Sequence, residues 1–254
     1  MTEAPNFLTT TPNMTYLETF ENGPGGWVAD TGIPLPIWDN VAYCHGPWTL
    51  DANHAPPGAG YLHLLMYLVT SGEFYSDNLA EVGATNRFVD EQCSTDLRGA
   101  TITIRSRGQI QPTGPLCNNS GFRPEWQLGE RPEMVLLVQS RYANAGPNYV
   151  LTGQPFNVTK DWTEQSVTLT DDESQWTFLG ARNELQEKYS YAPIAEVLRN
   201  VNVDLIFVLF PLSFEPHDDV PDKHAAWAMK EYTVDAQRLP KGVVMFDWVR
   251  IDYP

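Results

Sequence analysis

Apolar and polar positions alternate in short runs along this chain, and turn residues separate the runs. In ATITIRSR (100–107), Ile102 and Ile104 share one side while Thr101, Thr103, Arg105 and Arg107 share the other. That period of two marks a half-buried strand. The same reading predicts strands at TYLETFE (15–21), GYLHLLMYL (60–68), EMVLLVQSR (133–141), EQSVTLT (164–170), NVDLIFVLF (202–210) and the closing residues 243–252. Along 60–68, Tyr61, His63 and Tyr67 fall with Leu65, opposite Leu62, Leu64, Met66 and Leu68. Along 133–141, Leu136 and Val138 oppose Val135, Leu137, Gln139 and Arg141.

One segment has a helical period instead. In PIAEVLRNV, Pro193 suits a first turn, where its missing N–H costs nothing, and Ile194, Val197, Leu198 and Val201 recur at helical spacing. A polar stretch, ARNELQEKY (181–189), predicts a second, shorter helical turn. Residues 22–59 and 211–242 read as long, aromatic, proline-rich loops, the kind that builds or covers a binding site.

The closing strand poses a chemical question. Strict alternation puts Asp247 on one face with Val243, Met245, Val249 and Ile251. A carboxylate turned toward a core must be hydrogen-bonded, paired with an arginine or bound to a metal, because an unpaired buried charge is too costly.

Composition narrows the class. The 254 residues are 42% hydrophobic, enough for one sizeable core, and the 20 prolines and 18 glycines are scattered as turns between short strands would scatter them. The expectation is a single all-β domain over 1–254, an antiparallel β-sandwich with one or two short helices and long loops. A net charge of −16 argues against nucleic acid and anionic membrane surfaces as partners. No apolar run is long enough to span a bilayer. The first residues lack the basic and apolar regions of a signal peptide, so the expected location is cytoplasmic, or secreted if a signal peptide has been removed. Cys44, Cys93 and Cys117 are an odd number without CxxC spacing. They allow one disulfide with a spare thiol, or, more simply, three reduced thiols.

The order of short motifs resembles a known group. YLETFENGPGGW resembles the Phe-Glu, Gly-Trp opening of carbohydrate-binding-module-like jelly rolls, and GVVMFDWVRID resembles their closing Asp-x-Val strand. DWTEQSVTLT followed by IAEVLRNVNVDLIFVLF resembles the laminin-B-like branch of the same galactose-binding-like group. The resemblance implies a jelly roll and a structural calcium held by the opening glutamate and the closing aspartate, here Glu21 and Asp247. Calcium takes six to eight oxygens, carboxylates among them.

Candidate chemistry lies on the polar sides of the strands. If the strands neighbour one another, Tyr61, His63, Tyr67, Arg105, Arg107, Gln139 and Arg141 converge in one concave groove. Arginine forks match carboxylates and sulfates, and aromatic rings stack on sugar faces. The leading expectation is therefore recognition of an acidic carbohydrate. The rival is an enzyme in the same groove: a lyase on uronic-acid glycans, or a cyclase or isomerase on a small substrate. A lyase needs a group that neutralises the uronate, with a base and an acid beside it. Arg or Gln139 would serve first, and His63 with Tyr61 or Tyr67 second. WTLDANHAPPGAGYLH adds Trp48 and His54 near a rigid turn as possible ligand contacts. EPHDDVPDKH (215–224) lacks metal-ligand spacing and reads as a solvated acidic loop. No serine-hydrolase elbow, zinc-protease helix or phosphate-binding loop is present.

Overall fold

The computed structural model describes residues 15–30, 33–45, 50–51, 62–71, 85–111, 133–141, 146–179, 191–210 and 241–254. These build an all-β sandwich of two antiparallel sheets. In chain order the strands are β1 (Thr15–Glu18), β2 (Trp27–Asp30), β3 (Ile33–Pro34), β4 (Ile37–Trp38), β5 (Val41–His45), β6 (Leu50–Asp51) and β7 (Leu62–Val69). Then come β8 (Thr101–Gln111), β9 (Glu133–Gln139), β10 (Asn148–Val150), β11 (Thr163–Thr168), β12 (Thr177–Phe178), β13 (Asp204–Phe210) and β14 (Lys241–Asp252). Two short helices join them, α1 (Arg87–Asp90) and α2 (Ile194–Arg199).

One sheet has six strands in the order β11-β8-β14-β5-β4, with β1 alongside β14. The other has eight, β12-β10-β9-β13-β7-β2-β3, with β6 on β7. All seven strands expected from alternation are present. The helix expected at 193–201 is present as α2, with Pro193 just ahead of it and Ile194, Val197 and Leu198 buried. The 181–189 turn, Cys117 and the 215–224 loop lie outside the described residues. Cys44 and Cys93 are free thiols, both buried.

A single buried cluster fills the space between the sheets. Ile102, Ile104, Val244, Phe246, Val249 and Ile251 enter it from the six-stranded sheet; Leu136, Val138, Leu205, Phe207 and Leu68 enter from the eight-stranded one. Phe207 is its hub, with ring centroids 5.7 Å from Trp27, 5.7 Å from Phe156 and 5.3 Å from Phe246.

Strict alternation fails at one place that matters. β14 has a bulge between Phe246 and Trp248: Phe246 pairs with Ser106 and Trp248 with Arg105, leaving Asp247 as the extra residue. A bulge sets two residues against one and resets which face follows. The core face is therefore Val244 and Phe246 before it, and Val249 and Ile251 after it. Asp247 is not inward, as alternation predicted, but sits beside Trp248 on the outer side, half-buried.

A different acid is buried. Glu18, at the end of β1, is 1% exposed. Its carboxylate accepts the Phe20 N–H at 2.8 Å and lies 3.5 Å from Arg87 Nη1. Gly25 permits this: its φ is +58°, and a Cβ there would run into the carboxylate. Burial raises the Glu18 pKa above the ordinary carboxylate value, while the Phe20 N–H and Arg87 pull it down. An acid with a raised folded pKa holds its proton longer in the folded state, so stability falls as pH rises through that interval. Wild type should therefore lose stability relative to Glu18→Gln as pH climbs from about 4. Glutamine keeps an acceptor for Phe20 without the charge. Urea midpoints of the two proteins that run parallel across pH would refute this.

Candidate functional site

The described residues place the expected groove on two different sheets. Arg105 and Arg107 stand on β8 of the six-stranded sheet, whereas Tyr67 and Gln139 stand on β7 and β9 of the eight-stranded one. One face cannot hold them all, which corrects the expected convergence. Side-chain periodicity assigns faces within a strand but does not say which strands are neighbours.

The outer face of the eight-stranded sheet is also not open at these positions. Val135, Leu137, Val150, Leu179, Ile206 and Val208 form a second buried cluster there, with Tyr67 packed against it. Gln139 is only 5% exposed. Arg141 lies beyond the end of β9, exposed, its backbone N–H bonded to Asn202 Oδ1 at 2.7 Å. A second bulge, where Phe207 pairs with Met66 but Val208 with Leu64, breaks the alternation of β7 between Tyr67 and His63. His63 pairs with Leu209 in register, and its side chain lies outside the description. So do Tyr61, Trp48 and His54.

The six-stranded sheet has the accessible face. Residues paired across antiparallel strands share a side, so the registers can be read as rows. Arg107 pairs with Met245, and Met245 with Tyr43. Trp162, immediately before β11, lies with its ring centroid 4.7 Å from the Arg107 guanidinium carbon and 5.5 Å from that of Arg105. At the far end Trp38 packs on Tyr43, centroids 5.2 Å apart. The result is a band, Trp162–Arg107–Met245–Tyr43–Trp38, across five strands. At the usual spacing between strands it is about 19 Å long. Trp38 is 67% exposed, and the other four are half-buried.

Local sequence explains the far end of the band. Asp39 and Asn40 both have positive φ, 48° and 62°. That is the two-residue turn joining strands such as β4 and β5, and it favours Asp and Asn. VAYCH then alternates, burying Ala42 and Cys44 and turning Tyr43 and His45 outward. At the near end, Gly108 donates its N–H to Thr159 O at 2.6 Å, drawing the 159–162 segment over β8.

Beside the band lies a charged row. Arg105 pairs in register with Glu164 and Trp248, and its guanidinium forms an ion pair with the Asp247 carboxylate. Arginine is thus what Asp247 is holding. Arg250 stacks over Trp248 at 5.6 Å and bonds Asp252 Oδ2 at 2.7 Å. Glu21 is exposed in the turn after β1. Among the described residues no three carboxylate, cysteine or histidine side chains gather as metal ligands. A calcium ion shared by Glu21 and Asp247 would compete with the Arg105 guanidinium for the same carboxylate. No helix among the described residues is long and apolar enough to cross a membrane.

No family model and no curated protein matches this chain. Among solved structures, the L4b domain of human laminin alpha-2 resembles it at 7% identity and a TM-score of 0.27, over 63% of this chain and 62% of that one. The chain thus spans less than two thirds of the laminin domain's length. A second likeness, at 11% identity and a TM-score of 0.32, covers 94% of this chain and 91% of the other. That structure is titled for endo-acting O-glycanases that members of the human gut microbiota express to initiate mucin breakdown.

Proposed function

We propose that the outer face of the six-stranded sheet is a carbohydrate-binding surface. The observation that carries this reading is the aromatic band with Arg107 within it. Large rings left exposed, as Trp38 is, or half-exposed, as Tyr43 and Trp162 are, forgo part of the free energy of burial, and apolar surface that reaches solvent in a continuous band marks places where something docks. Here the rings lie in line on a hydrogen-bonded sheet, so little ordering cost falls on the protein when a ligand binds. Indole and phenol rings offer flat apolar faces to the C–H side of a sugar ring, and the band's length suits an oligosaccharide better than a single sugar. Tyr61 and the His63 side chain, the base and acid of the lyase reading, lie outside the described residues, and binding is the reading that the band itself supports.

The test is a titration of intrinsic tryptophan fluorescence with a panel of neutral and acidic oligosaccharides. At least one class should give a saturable change, because three tryptophans (Trp38, Trp162 and Trp248) lie on this face. A flat response from folded protein to every sugar would end the proposal. A chelator arm tests the calcium expectation in the same samples. A lower melting temperature would support a calcium ion at Glu21 and Asp247, since a ligand bound only by the folded state stabilises it. An unchanged one would leave Arg105 as the partner of Asp247.

A further inference from the structure

The charges on this face do not all cancel. Arg105 is neutralised by Asp247 and Arg250 by Asp252. Arg107, which stands in the band itself, has no carboxylate partner among the described residues. Its guanidinium lies against the Trp162 ring, and its Nε is buried without a hydrogen-bond acceptor. A buried N–H of a charged group left without an acceptor is costly, and such groups call for an explanation. Stacking on the indole fixes the plane of the guanidinium without consuming its N–H groups.

We propose that Arg107, seated on Trp162, is an anion subsite that makes this face select sugars bearing a carboxylate or a sulfate. The inference rests on the carbohydrate-binding reading above and adds the ligand's chemical class. A planar fork with a fixed orientation suits an oxyanion with two oxygens in one plane, and both groups offer that. Gln109, two residues along β8 on the same side and exposed, adds an amide donor for a neighbouring sugar oxygen. The pair Arg105–Asp247 is spectator charge: its guanidinium is already bound.

The protein's net charge of −16 does not forbid an acidic ligand. At physiological ionic strength, charges more than about 8 Å away are largely screened, so the groups around Arg107 decide. Glu164, opposite Arg105 in the adjacent row, is an acid near Arg107 with no ion-pair partner among the described residues. It should repel the ligand weakly and so limit affinity.

The experiment compares four probes by calorimetry: a galacturonic acid hexamer, its full methyl ester, a sulfated carrageenan hexasaccharide and a neutral galactan hexamer. Wild type should bind at least one acidic probe about tenfold or more tighter than its neutral counterpart. Arg107→Ala should erase that preference, and Arg107→Lys should restore part of it. Arg105→Gln combined with Asp247→Asn, which removes the spectator pair without changing net charge, should leave the preference in place. Glu164→Gln should tighten acidic probes a few-fold and leave neutral ones alone. The two acidic probes tell carboxylate from sulfate. Equal binding of acid and neutral probes by wild type would overturn the anion subsite while leaving the carbohydrate surface standing. So would a preference that survives in folded Arg107→Ala. Failure of all four probes to bind would remove both proposals.

Discussion

Truncating Phe207 to alanine is expected to cost about 3–5 kcal/mol of folding stability, the range for removing a buried aromatic ring from a packed core. Phe207 is fully buried and touches rings from three other parts of the chain: Trp27 at the start of β2, Phe156 in the segment after β10 and Phe246 on β14. Phe246 belongs to the opposite sheet, so this contact is where the two layers meet. A domain is stable by only about 5–15 kcal/mol in total, so the variant should unfold at a much lower urea concentration. Its dependence on denaturant should stay nearly unchanged, because the surface exposed on unfolding is similar. Phe207→Leu should lose clearly less, since much of the ring's volume is kept. A loss below about 1 kcal/mol for the alanine variant would mean the site collapses freely, which a hub gripped by three rings should not do.

The strands that carry the core were legible because their periodicity is real. Ile102 and Ile104, Leu136 and Val138, and Ile194, Val197 and Leu198 are all buried where the pattern puts them. Two features hid the rest. Alternation cannot see a bulge, so the pattern puts Asp247 on the core side, whereas its carboxylate is outside, against Arg105. A single extra residue also shifts the register of β7 between Met66 and Leu64, which alternation along the strand does not show. The second obstacle is sheet order. Arg105 and Gln139 each lie on the non-core side of their strand, as expected, but the sides belong to different sheets.

The aromatic band was missed for a related reason. Trp38 and Tyr43 share one hairpin, but Trp162 and Met245 come from two other parts of the sequence, and only the pairing of β14 with both β8 and β5 lines them up. Part of the signal was present: Asp39-Asn40 between IW and VAYCH is a two-residue hairpin turn, and the alternation of VAYCH puts Tyr43 opposite Cys44. Nothing local announced that Trp162 would cover Arg107. That contact depends on β11 lying beside β8, a pairing fixed over the whole run from Thr163–Ser106 to Thr168–Thr101.

Trp162→Ala is the variant expected to weaken ligand binding most. The indole has two tasks, offering a flat apolar face at one end of the band and holding the plane of the Arg107 guanidinium. Tryptophan and arginine dominate the residues whose truncation costs a binding surface 2 kcal/mol or more, which is about 30-fold in affinity. The loss should extend to neutral and acidic oligosaccharides alike, unlike that of Arg107→Ala, which should fall on acidic ones. Trp162→Phe keeps a ring for stacking and should recover a large part of the affinity. Folding should be little affected, because Trp162 is half-buried at the edge of the sheet and outside the core cluster. Calorimetric titration beside a melting curve separates these outcomes. Affinity retained by a folded Trp162→Ala protein would move the binding surface elsewhere on the molecule. Affinity lost together with a large drop in melting temperature would mean that the ring supports the fold and not the ligand.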